Sequence, residues 1–86
     1  MSQHVLFTVS VHSPSGAHEH HVLLDHEFFA NVWHSDVGEW TLDTVDGLSF
    51  HHRGSGAETR ALQQAKSLAA DEGKRRLITS GRLATA

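Results

Sequence analysis
The sequence predicts an α+β domain, an antiparallel β-sheet of about four to five strands packed against one C-terminal amphipathic helix. Three observations predict it. Apolar and polar residues alternate through much of the first half, the period of a half-buried strand. Turn residues punctuate that half at Ser13-Pro14-Ser15-Gly16, Ser35-Asp36-Val37-Gly38 and Asp46-Gly47. From Ser55 to Gly73 the apolar period changes to that of a helix. Strands followed by a helix imply two layers, a sheet with one helix across it.

The elements follow in order. His4 to His12 alternates, with Val5, Phe7, Val9 and Val11 on one face. After the Ser-Pro-Ser-Gly turn a second strand runs from about Ala17 to Leu24. A four-residue loop would set His12 opposite Ala17 and bring Val22 and Leu24 onto the face of Val5 and Phe7. His18 and His20 share that face, while Glu19 and His21 point outward. Glu27 to His34 is a third strand. Its inner face can be Phe28, Ala30 and Val32, or Phe29, Asn31 and Trp33, and both alternations fit. Glu39 to Thr44 is a fourth strand with Trp40, Leu42 and Thr44 on one side.

The next hairpin has a more definite register. Asp46-Gly47 invites a two-residue turn, but that register sets Leu42 beside His51. A three-residue loop, Val45-Asp46-Gly47 with Gly47 left-handed, matches Thr44 with Leu48, Leu42 with Phe50 and Trp40 with His52. Patterning favours the longer loop, because a one-residue slip inverts every side chain. Arg53-Gly54 then leads to the helix.

Ser55-Gly56-Ala57-Glu58 has capping-box spacing. Ala57, Ala61, Leu62, Ala65, Leu68 and Ala69 form the apolar face, and Gly73 is placed to end the helix. A stripe this rich in alanine lets a helix lie close on a sheet. The large side chains, Phe7, Phe28, Phe29, Trp33, Trp40 and Phe50, all precede it. Leu77-Ile78-Thr79 carries the pattern of a short final strand over Arg76 to Ser80. With 86 residues the chain reads as one domain over residues 1–80 with a flexible C-terminal tail at 81–86.

Charge divides the chain. Residues 1–52 hold the seven carboxylates of Glu19, Asp25, Glu27, Asp36, Glu39, Asp43 and Asp46 and no Lys or Arg, a net −7. Residues 53–86 hold seven cations against three carboxylates, a net +4. All nine histidines lie in the acidic part. Cysteine is absent, which excludes a disulfide framework and a thiolate metal site. Met1 to Val11 lacks the basic start of a signal peptide, and no apolar run approaches a membrane span. The expectation is a soluble, cytoplasmic chain with no membrane partner.

Four functional readings follow from these residues. The leading one is a small non-catalytic protein-interaction module, an accessory or inhibitor protein of bacterial or phage type. Its acidic, His-rich sheet would bind a partner with a basic surface through Glu19, Asp25, Glu27, Asp36, Glu39, Asp43 and Asp46, with Trp33 as hydrophobic anchor. Self-association into a homodimer is a further expectation, since small domains rarely leave aromatic surface bare. The second reading is nucleic-acid binding through Arg53, Arg60, Lys74, Arg75, Arg76 and Arg82, although the acidic sheet would repel a phosphate backbone. The third is a zinc or other divalent-metal site built from His18, His20, His26 and His52, because strand residues two apart share a face; otherwise no cofactor is expected. The fourth, hydrolysis, has least support: no nucleophile elbow or phosphate-binding loop is present, and Ser, His and Asp are too plentiful for their co-occurrence to signify. Free imidazole titrates near pH 6.5, so partner binding through the His-rich face is expected to change between about pH 7.5 and 5.5.

Overall fold
A computed structural model describes residues 7–14, 16, 18–36 and 38–79. Five strands, β1 (Val9–His12), β2 (Glu19–Leu24), β3 (Glu27–Asp36), β4 (Glu39–Thr44) and β5 (Ser49–Arg53), precede one helix, α1 (Ala57–Thr79). The strands form a single antiparallel meander in the order β1-β2-β3-β4-β5. The helix covers one face, so the chain is α+β in two layers, as its patterning predicts. Among the described residues no helix is long and apolar enough to cross a membrane.

The core lies between the sheet and α1. The sheet contributes Val22, Leu24, Phe29, Ala30, Val32 and Leu42; the helix contributes only Ala61, Ala65 and Ala69. Phe7, Val9, Trp40, Phe50, Leu62 and Leu68 pack around this centre. Large side chains therefore come from one layer and small ones from the other. Ala57 and Leu77 are also buried. With Gly73, the buried helical positions fall every four residues from Ala57 to Leu77. A row of that spacing winds slowly round a helix, which suits the twisted surface of a sheet.

Three expectations at the helix ends are corrected. The first intrahelical bond runs from Arg60 N–H to Gly56 O at 3.0 Å, so Gly56, at φ +77°, occupies the capping position in place of Ser55. Glu58 does not close a capping box, because its carboxylate is engaged by His20. Gly73 does not end the helix. A Cβ there would lie 2.6 Å from the Phe7 ring, so this glycine serves close packing within the helix. Finally, no strand forms over residues 76–79, where the helix continues to Thr79. Leu77, one turn beyond Gly73, is buried, so the helix is still packed at that point. Ser80 and the tail at 81–86 lie outside the described residues.

Glu72 reinforces the same stretch. It accepts from Arg75 Nε at 3.0 Å and Nη2 at 2.6 Å, and from Arg76 Nε at 2.9 Å. These bonds hold its carboxyl below the ordinary value of 4.5. The folded state therefore binds this proton less tightly than the unfolded state. The resulting stabilisation is full above about pH 4.5 and is lost as pH falls through the lowered value. Acid titration of stability should show wild type and Glu72→Gln converging as the pH drops below that range.

The hairpins test the register arguments. Leu42 pairs with Phe50 and Trp40 with His52, and Gly47 has φ +94°, as the three-residue loop requires. The first hairpin is corrected. His12 pairs with His21, and Val9 with Leu24, a register four residues from the expected one. An even slip preserves the faces, so patterning could not detect it. The third strand resolves its ambiguity by using both faces. Val22 pairs with Ala30 but Leu23 with Phe28, so Phe29 is an extra residue in β3. This bulge reverses the parity of the strand. Phe29, Ala30 and Val32 all enter the core, while Phe28 is 48% exposed on the opposite face.

Asp25 and His26 make the two-residue turn between β2 and β3, with φ of 54° and 69°. Two left-handed residues are the signature of a type I′ hairpin, which favours glycine at the second position. Relief of left-handed strain, about 1–2 kcal/mol, exceeds the extra chain entropy of glycine, about 0.5–1 kcal/mol. His26→Gly is therefore expected to raise the unfolding free energy by roughly 0.5–1 kcal/mol, read as a higher Tm. An unchanged or lower Tm would contradict this account of the turn.

Candidate functional site: the open face of the sheet
Alternation within each strand sends a second set of side chains to the sheet face away from α1. The registers align them in rows. One row runs His12, His21, Asn31, Asp43 and Ser49; the next runs Glu19, Trp33, Thr41 and His51. Glu39 and Arg53 pair at one margin, and Leu23 and Phe28 at the other. Trp33 is thus directly opposite Glu19 and one step diagonally from Asp43. Its indole N–H donates to Asp43 Oδ2 at 2.8 Å.

The rows are linked by side-chain bonds. Ser49 Oγ donates to Asp43 Oδ1 at 2.8 Å. His21 Nε2 donates to Glu19 Oε2 at 3.1 Å, and its ring meets Phe28 edge-on at 5.2 Å. Thr41, almost fully buried, lies 2.9 Å from Ser35 Oγ and 3.1 Å from His51 Nδ1. Glu39 Oε2 is 3.2 Å from that same nitrogen, and Arg53 reaches Glu39 Oε1 at 3.5 Å. The face carries three described carboxylates, Glu19, Glu39 and Asp43, and one permanent cation, Arg53. Asn31 Oδ1 is buried there without a partner.

Asp25, Glu27 and Asp46 lie elsewhere. Asp25 is part of the β2–β3 turn, where its Oδ1 accepts from Thr8 N–H at 2.9 Å. Glu27 opens β3 and is exposed. Asp46 is in the β4–β5 turn and accepts from the Thr44 hydroxyl. Asp36 ends β3, with its backbone paired to Glu39. Asp46 also lines an open groove beside the helix, together with Phe29, Leu48, Leu68, Asp71, Glu72 and Arg75.

The metal candidates are dispersed by the fold. His20 is buried beneath the helix start: Nε2 donates to Glu58 Oε2 at 2.6 Å, and Nδ1 accepts from Ser13 Oγ at 2.6 Å. Its ring stacks on Trp40 at 5.6 Å. This set, which sequence reasoning missed, ties the β1–β2 loop, the sheet and the helix together. His52 donates to Gln64 Oε1 at 2.6 Å. His18 stacks on His34 at 6.5 Å, and His26 belongs to the β2–β3 turn. Among the described residues no three His, Asp or Glu side chains converge on a metal position.

The sequence-predicted cations form two groups, with Lys66 exposed on the helix between them. Arg60 donates to Ser55 O at 2.7 Å and Arg53 O at 2.6 Å, at the helix start. Lys74, Arg75 and Arg76 lie at the other end, about 21 Å along the axis at 1.5 Å per residue, and two of them bind Glu72. Arg82 is outside the described residues.

No family model, curated protein or solved structure matches the chain.

Proposed function
We propose that this protein is a small non-catalytic interaction module that binds a basic surface of another protein through the open face of its sheet. One observation carries the reading. The face opposite the helix sets Trp33 between Glu19 and Asp43, near the middle of a sheet with a net negative face. An aromatic anchor among carboxylates supplies both contact area and attraction for a cationic partner. A second copy meeting the same face would set like charges against each other, so a basic partner suits it better than a homodimer. The separated basic groups, several already bonded, give nucleic acid a poorer path than a continuous stripe would. An accessory or inhibitor protein of bacterial or phage type, acting in the cytoplasm, is the biological setting we infer.

The test is affinity capture with wild type, Glu19→Lys/Asp43→Lys and Lys74→Glu/Arg75→Glu. Basic proteins retained by wild type and released by about 0.3 M salt are expected to be lost from the first variant and kept by the second, since salt screens exposed charge pairs. Loss from the second variant alone, or retention by both, would overturn the proposal.

A further inference from the structure
The open face has acceptors in excess and few donors to offer them. Trp33 already uses its only N–H on Asp43. Ser49 uses its hydroxyl on the same carboxylate. Asn31, two residues before Trp33 on the same face, has an oxygen with no donor. Residues 1–52 contain no Lys or Arg, and among the described residues the one permanent cation of the face, Arg53, stands at its margin beside Glu39. The bond to Asp43 also fixes the indole, a half-buried ring whose cross-strand neighbour is Glu19.

Among cationic side chains, this arrangement distinguishes a guanidinium from an ammonium. A guanidinium is planar, stacks on an indole and carries five N–H donors in a rigid fork that matches carboxylates. An ammonium is a compact, strongly hydrated charge with less to gain from a ring face. We propose that Trp33, Glu19 and Asp43 form a recognition site for an arginine side chain of the partner. The guanidinium stacks on the indole and donates to the flanking carboxylates. This inference rests on the basic-partner reading and specifies the residue that the partner inserts.

Labelled hexa-arginine and hexa-lysine peptides, equal in charge, provide the probes, with affinity read by fluorescence anisotropy at fixed ionic strength. The wild type is expected to bind hexa-arginine about tenfold more tightly than hexa-lysine, the scale of a cation–π contact. Trp33→Leu should abolish that preference while leaving the weaker charge-driven binding, and Trp33→Phe should retain part of it. Circular dichroism of each variant separates loss of the site from loss of the fold. Equal affinity for both peptides, with binding lost in Glu19→Lys/Asp43→Lys, would overturn the arginine site and leave the acidic interface standing. A preference that survives in folded Trp33→Leu would also overturn it. Binding of neither peptide would overturn both readings. A wild-type dimer dispersed by Trp33→Leu in light scattering would assign the face to a second copy instead.

Discussion

Replacing Leu42 by alanine is expected to lower the unfolding free energy by about 3 kcal/mol, within the usual range of 2–5 kcal/mol for such truncations. Leu42 is fully buried, pairs across the sheet with Val32 and Phe50, and belongs to the core under the helix. The facing helical positions are alanines, which have no longer side chain to move into the space. The cavity therefore stays largely unfilled, and its cost adds to the lost transfer free energy. Domains of this size are stabilised by roughly 5–15 kcal/mol in total, so the variant should be close to unfolding when warmed. Urea denaturation followed by circular dichroism should show a lower midpoint with an unchanged slope. A loss below about 1 kcal/mol would mean that the helix settles into the gap, contrary to the expected cavity term.

Ala65→Leu should be comparably damaging for the opposite reason. Ala65 is fully buried in the middle of the stripe that contacts the sheet. Leucine and alanine differ little in helix propensity, so the intrinsic preference of α1 hardly changes. Three extra carbon atoms must find room between the helix and Val22, Val32 and Leu42. Overpacking typically costs about 1–3 kcal/mol, and the upper end is expected here because the helix must tilt or lift along its length. Lys66→Leu, next in sequence but exposed, provides the control and should fall within about 0.5 kcal/mol of wild type. If both substitutions are equally mild, the close approach of helix and sheet is not what stabilises the fold.

The layer arrangement was legible because burial imposes periods that the sequence displays. Val22 and Leu24, the faces of β4 and the register of Leu42 with Phe50 all follow from alternation. Three features were not legible, each for a physical reason. The shift of His12 from Ala17 to His21 is even, and an even shift leaves inward and outward residues unchanged. The extra residue at Phe29 lets two rival alternations both hold, each in half of β3. Gly73 looks like a helix terminator until Phe7, distant in sequence, is seen to need its missing Cβ. The site was legible in part. Glu19, Trp33, Glu39 and Asp43 were all among the candidates, but composition alone could not separate them from Asp25, engaged in a turn, or Asp46, engaged with Thr44. Nor could it reveal that His20 is bonded to Ser13 and Glu58, because that set depends on where the helix begins.

The simple strand order has a consequence for how the chain acquires its shape. Each strand pairs only with its neighbour in sequence, so every loop closed in forming the sheet is short and entropically inexpensive. Topologies of this kind fold faster than those built on distant pairings. The helix that covers the apolar face follows all five strands in the sequence. On a ribosome the strands emerge first, and Val22, Leu24, Val32 and Leu42 remain wet until α1 follows. During that interval the nascent sheet is exposed to wrong partners, as partly folded chains generally are.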